Sequence, residues 1–538
     1  DYSMLKRLFQ LTVIFLFILT WSSCRNDFEF ELSIGGLEFS KDTVYLDTVF
    51  SNISSSTYTL KVYNRSNKDI VIPNINLSKR ENSRFRLNID GSTGSSGDLE
   101  GKVFEDVELL AKDSLYIFIE TTIDISNQTN SNELLYTDKI EFDQNNNLQT
   151  VELVTLVKDA VFIYPARSED TDEDGNPVYI KETLVFDVDG DGEDDETTLE
   201  GRFLNDNELN FTNDKPYVIY GYAGVGANKT LTIDPGARIH FHANSGLIVT
   251  QNASMKINGA LSNDLETMEN EVIFESDRLE PGFADIPGQW GTILLYNDSK
   301  EIDINHTTIK NGTLGLFCIG NQENTIPKVS IKNSKLFNFS SFGILARASS
   351  LKAENLVISN CGQSAFAGTL GGSYEFTHAT LSNYWTNSFR QFPAVLVNNF
   401  ITDEDDVIYV NSLDKATFTN CIVYGSENIE FLVDQADSEL DFNFKLESTL
   451  LRFNDYNNSY TGPNYNFNNS DLYNNVMLNQ NPEFWDAYNN NFLINENSAA
   501  INKGDVSAAQ AVPNDILGVN RSSNPDLGAY QHQVQPED

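Results

Sequence analysis

From Leu37 to about Tyr164 apolar and polar residues alternate in short runs broken by Asn, Ser and Gly, with no sustained helical spacing. "KDTVYLDTVF", "TYTLKVYN", "IVIPNINL" and "FRLNIDG" each predict one strand of a half-buried antiparallel sheet, and their spacing predicts a β-sandwich. The second half alternates too, but its runs repeat. "IDINHTTIKN" (302–311), "VSIKNSKLFN" (329–338), "LKAENLVISN" (351–360), "YEFTHATLSN" (374–383) and "ATFTNCIVYG" (416–425) align without gaps. "FKLESTLLRF" (444–453) aligns less well, and successive starts lie 27, 22, 23, 42 and 28 residues apart. β alternation inside a period just above twenty, with no helix between units, predicts a parallel β-helix.

The repeat assigns work to its polar positions. Position five reads His306, Asn333, Asn355, His378, Asn420, and position ten reads Asn311, Asn338, Asn360, Asn383, Gly425. Stacked amides hydrogen-bond along such an axis, and Asn tolerates the left-handed backbone where a coil bends. His306 and His378 therefore read as ladder members, and the alternating "RIHFH" places His240 and His242 in an ordinary strand.

Composition narrows the functional classes. Asp and Glu outnumber Lys and Arg by 78 to 36, a net charge of -42, so a nucleic-acid backbone is repelled and no nucleic-acid partner is expected. The acids concentrate: fourteen carboxylates run from Glu169 to Glu200. Within them Asp187, Asp189, Asp191, Gly192 and Asp195 take alternating calcium-loop positions, with the Glu193 carbonyl completing the set. Asp170, Asp172, Asp174 and Gly175 form a poorer copy. Thr198 stands where a sensor loop has its bidentate Glu, so structural Ca2+ is expected, against the alternative of an extended acidic linker.

The first residues carry an address. "MLKRLFQLTVIFLFILTWSSC" has a basic start and an apolar run too short to span a bilayer, which reads as a secretory signal. "TWSSC" resembles a bacterial lipobox, implying lipidation of Cys24, with Trp21 where an aliphatic residue is usual. "RNDFEFE" resembles the signal that sends Bacteroidetes lipoproteins to the outer face of the outer membrane. "SSSTYTLKVYNRSNKDIVI" resembles the Ig-like modules of such lipoproteins. "NQNPEFWDAYNNNFLINENSAAINKG" and "NPDLGAYQH" resemble the terminal segment of bacterial right-handed parallel β-helix proteins, with Glu483 and Ala499 departing from the usual residues. The implied fold is all-β. The implied order is a signal peptide (1–24), tether (25–36), Ig-like sandwich (37–164), acidic calcium-loop junction (165–214), right-handed β-helix (215–504) and C-terminal cap or tail (505–538).

Catalytic chemistry is less legible. The remaining cysteines, Cys318, Cys361 and Cys421, have no disulfide or zinc spacing and read as small buried residues. Arg347 and Arg390 follow the turns beginning at Val329 and Tyr374 and are the weak candidates for an exposed catalytic face, with "TDEDD" (402–406) overhanging it. No nucleophile elbow, phosphate loop or paired-Asp signature accompanies them. The expected function is a surface lipoprotein without catalysis, held to the outer membrane by its lipid and binding an extracellular glycan or cell-surface component. The alternatives are a polysaccharide lyase or glycoside hydrolase acting on acidic polysaccharide, and a purely structural envelope protein.

Overall fold

The structure, a computed structural model, describes residues 29–125, 133–143, 145–172, 176–188, 191–320 and 326–533. Cys24 and the whole predicted signal lie outside the described residues, as do Asp174 and Asp189. No helix among the described residues is long and apolar enough to cross a membrane. The fold is all-β with extensive parallel pairing, and the chain divides into two compact units, Asp1–Lys158 and Asp159–Asp538.

In the first unit the four quoted runs become the strands Thr43–Phe50, Tyr58–Tyr63, Ile70–Leu77 and Phe85–Ile89. Two sheets form. One pairs Glu38–Phe39, Tyr58–Tyr63, Ser114–Thr121 and Phe85–Ile89 in antiparallel order. The other gathers Ile70–Leu77, Glu133–Phe142, Gln149–Lys158 and Thr43–Phe50 with shorter partners, and Thr43–Phe50 joins it in parallel. Alternation explains the packing, because Leu60, Val62, Ile117 and Ile119 of one sheet and Ile72, Ile140, Phe142 and Leu153 of the other share one core.

The second unit is built from parallel ladders to which each pass of the chain adds one strand. One ladder runs through Ile302–Asn305, Val329–Phe339, Ser350–Cys361, Gly372–Thr377, Leu413–Thr419 and Phe442–Glu447. A separate ten-stranded sheet contains Tyr222–Val225, Gly246–Val249, Ile293–Leu295, Leu316–Ile319, Ile344–Arg347, Phe366–Thr369, Val395–Asn398 and Phe431–Asp434. Inward residues such as Ile331, Ala353, Phe376 and Phe418 form a continuous core. Cys318, Cys361 and Cys421 are free thiols inside it. Burial pushes the Cys318 and Cys421 thiols up to about 12.

The repeat's polar positions behave as their chemistry dictates. His306, Asn333, Asn355, His378 and Asn420 all adopt positive φ, between 41° and 55°, and Asn311, Asn338 and Asn360 do so between 47° and 69°. Asn355 donates to Asn333 at 2.8 Å and Asn360 to Asn338 at 2.7 Å, so the amides form ladders. Asn383 departs from the left-handed set. Its amide clamps the backbone of Cys361 instead, accepting from its N–H and donating to its carbonyl, both at 2.9 Å.

Three expected boundaries shift. Val161–Ile163 pairs in parallel with Tyr217–Ile219, so the first unit ends at Lys158 and not at 164. The acidic stretch is no separate junction: Thr183–Phe186 pairs with Asp195–Phe203, whose Gly201–Phe203 end opens the ten-stranded sheet. Leu184 and Phe186 anchor it by packing on Ile248. Residues beyond 479 fold back along the ladders, where Phe492, Ile516, Ala529 and Tyr530 cover Val357. The Arg521 guanidinium, buried there, bonds to Asn355 and to the Gly528 carbonyl.

Candidate functional site

The predicted candidates do not assemble an active site. Arg390 is buried, which corrects the expectation of an exposed face. Its Nη2 and Nη1 donate to Glu430 Oε1 and Oε2 at 2.6 and 2.8 Å, and both side chains are sealed, at 1% and 0% exposure. The sequence placed Arg390 just after a strand but gave no sign of Glu430, forty residues away, which neutralises it. Arg347 ends the strand Ile344–Arg347, half-buried, with its guanidinium 5.5 Å from the Phe317 ring centroid. No carboxylate among the described residues lies within ion-pair distance of it. Residues 402–406 lie at the tip of a hairpin, Thr402 ending the strand Phe400–Thr402 and 403–407 turning back into Ile408–Val410.

The acidic loops hold themselves in shape. Gly192 N–H donates to Asp187 at 3.0 Å, Glu193 N–H to Asp191 at 2.8 Å and Val188 N–H to Asp195 at 2.9 Å. In the poorer copy Asn176 N–H donates to Asp172 at 2.8 Å, and Thr171 N–H to Asp170 at 2.8 Å. Among the described residues no three acidic, His or Cys side chains gather closely enough to hold a metal ion.

A different site emerges near the start of the ladders. The strands Val161–Ile163, Tyr217–Ile219 and Arg238–Phe241 stack in parallel, and Phe241 pairs with Ser276 of the next. One residue past these positions stand Tyr164, Tyr220, His242 and Asp277, so the register lines them up on the outside. Backbone bonds fix three of them: Tyr220 N–H to Ile163 O, His242 N–H to Ile219 O and Asp277 N–H to Phe241 O, at 2.9 to 3.0 Å. The Tyr164 and Tyr220 rings lie 5.0 Å apart, and Tyr220 stacks on the His242 imidazole at 4.3 Å. His242 Nδ1 lies 2.8 Å from Asp277 Oδ2. A carboxylate only accepts, so Nδ1 carries a proton.

Tyr164, Tyr220 and His242 line a cleft of about 730 Å³ together with Arg167, Lys181, Glu200, Tyr222 and Asn244, with Asp277 behind His242. Lys181 is held by Glu200 at 2.8 Å. The close turn beneath requires glycine at position 221, because φ is +70° and a Cβ would stand 2.6 Å from the Glu200 carbonyl oxygen. Arg202 braces the floor by donating to the Tyr164 carbonyl at 3.1 Å while its fork grips Glu208 at 2.7 Å. Burial raises the Tyr164, Tyr220 and Tyr222 phenols above their ordinary value, with Asp277 adding to the effect at Tyr220. They act as neutral donors and stacking faces, not as bases. The arrangement offers aromatic surface, fixed hydrogen-bonding groups and one imidazole oriented by a carboxylate.

No known family's sequence profile matches the chain, and no curated protein matches it. Among solved structures it is similar to a family 123 glycoside hydrolase from Clostridium perfringens, described for glycolipid glycan hydrolysis. That match has 12% identity over 24% of this chain and 30% of the other, with a TM-score of 0.16. A second similarity, to the Agl-KA catalytic domain, has 12% identity over 73% of this chain and 69% of the other, with a TM-score of 0.21. At these scores neither likeness carries an argument about fold or activity.

Proposed function

We propose that this protein is a bacterial surface lipoprotein of Bacteroidetes type that binds an extracellular glycan without cutting it, in the cleft of Tyr164, Tyr220 and His242. The row of aromatic rings lining a polar cleft carries this reading. The apolar C–H face of a sugar ring lies against such rings, while fixed polar groups meet its hydroxyls. A neutral glycan suits a chain of net charge -42 better than a uronate polymer does. In the same reading the lipid on Cys24 anchors the chain in the outer membrane, the first unit is an Ig-like sandwich, and the parallel ladders are those of a right-handed β-helix. Ca2+ stiffens the loop of Asp187, Asp191, Glu193 and Asp195.

One observation favours an enzyme instead. The His242–Asp277 pair, with His242 lining the cleft, has the form of an oriented base, as a polysaccharide lyase requires. A glycan array followed by incubation with the best ligand separates the two. Binding with no gain in ultraviolet absorbance from unsaturated ends and no new reducing ends supports the binder. Product formation abolished by His242→Ala supports the lyase.

A further inference from the structure

The first unit holds a site of its own. Its strand Ser114–Thr121 buries Leu115, Ile117 and Ile119, so Tyr116 and Phe118 alternate onto the solvent face. Aromatics there gain nothing from the core, yet they remain 42% and 38% exposed, with their rings 6.3 Å apart and 15° from parallel. Lys61 Nζ stands 4.8 Å from the Tyr116 centroid on the neighbouring strand. Beside Phe118 opens a cleft of about 730 Å³ whose walls come from Phe85–Ile89 and from residues 93–102.

The polar wall of this cleft is already ordered. Arg86 Nη1 and Nη2 both donate to Thr122 Oγ1 at 3.3 Å, and Nη2 lies 3.7 Å from Glu120. Thr57 Oγ1 donates to Glu120 at 2.5 Å, and Lys102 Nζ to the Glu81 carbonyl at 3.0 Å. The charges balance: Arg84, Arg86 and Lys102 face Asp98, Glu100 and Glu120. In a chain with more than twice as many acids as bases, that local neutrality sets the cleft apart. A protein partner would call for a broad apolar centre, and two rings beside a polar cleft do not provide one.

We propose that this face is a second carbohydrate site, taking a neutral oligosaccharide with one sugar ring against Phe118 and its hydroxyls on the Arg86–Glu120 wall. The ligand's lack of charge matches the balanced wall, and its alternating C–H faces and hydroxyls match the ring-and-fork pattern. The site stands independently of the cleft at Tyr220.

The test uses the full chain carrying Tyr220→Ala and His242→Ala, titrated calorimetrically with neutral glucan, mannan, xylan and galactan hexasaccharides. At least one is expected to bind. Phe118→Ala on that background is expected to weaken it at least tenfold, Arg86→Gln to weaken it as well, and Phe118→Tyr to restore it. Affinity unchanged by Phe118→Ala, binding only to anionic oligosaccharides, or no saccharide binding at all would overturn the proposal. In the otherwise native chain the binding removed by Tyr220→Ala reports on the other cleft and the binding that remains reports on this one, so the two readings fail separately.

Discussion

Replacing Arg390 with Met should damage stability while leaving glycan binding intact. The guanidinium is sealed against Glu430, which also accepts from the backbone N–H groups of Ala394 and Glu427 at 2.7 and 2.8 Å. Removing one partner of a buried pair costs about 3–5 kcal/mol, because the survivor stays desolvated and uncompensated. The two amides remain, which favours the lower end. For a unit the size of Asp159–Asp538 the melting entropy is about 0.8 kcal/mol/K, so the expected fall in Tm is about 4–6 °C. The deficit has a pH signature. Burial already raises the Glu430 carboxyl above its ordinary value, and losing Arg390 raises it further. A folded state that holds the proton more tightly than the unfolded state loses stability as pH rises, so R390M should be least impaired near pH 4. The double variant R390M/E430L, which leaves no buried charge, should return to within about 1 kcal/mol of wild type. Calorimetric melts from pH 4 to 8 check this. A fall below 1 °C in R390M, or a double variant no better than the single, would refute the reasoning.

Asn338 bonds to Asn311, Asp285, Asn360 and Asn490 from a left-handed backbone at φ 62°. N338A should therefore cost about 2–4 kcal/mol, and N338G, which relieves the backbone term, about 1 kcal/mol less, as read by thermal melts. The fork of Arg202 holds the Glu208 carboxyl down at about 2. That contribution is complete above the ordinary carboxylate range and is lost as pH falls from about 5 through 2. R202M should flatten this acid limb by about 1 kcal/mol, allowing for solvent screening. Chelation of Ca2+ should lower the second unit's melting temperature by a few degrees, with Asp187→Asn and Asp191→Asn insensitive to the chelator; no shift would leave the carboxylates as turn formers only.

How much of this was legible in the sequence differs by element. Alternation and the repeat located the strands of both units, because side-chain period and stacking register are local properties. The left-handed positions were legible too, since Asn and His recur where the backbone needs positive φ. Partnerships between distant segments were not. Arg390 looked exposed because Glu430 arrives one pass later, and the acidic stretch looked like a junction between modules because its anchors, Leu184 and Phe186, meet Ile248 only in the fold. The aromatic cleft was missed for a related reason. The repeat was aligned from residue 302 onward, whereas "VFIY", "YVIY", "IHFH" and "FESD" carry Tyr164, Tyr220, His242 and Asp277 one residue past the paired positions in earlier passes. Irregular intervals between those passes hide a register that hydrogen bonding makes plain.

The most direct test of the account is the affinity of Tyr164→Ala/Tyr220→Ala for the best neutral glycan of the array, measured by calorimetry beside a melting curve, with Phe118→Ala present in both the variant and its reference so that only this cleft is read. The account predicts at least a tenfold loss, with the folded state's melting temperature within about 2 °C of the reference, as expected for rings that lie outside the hydrophobic core. Unchanged affinity in a folded variant would contradict it.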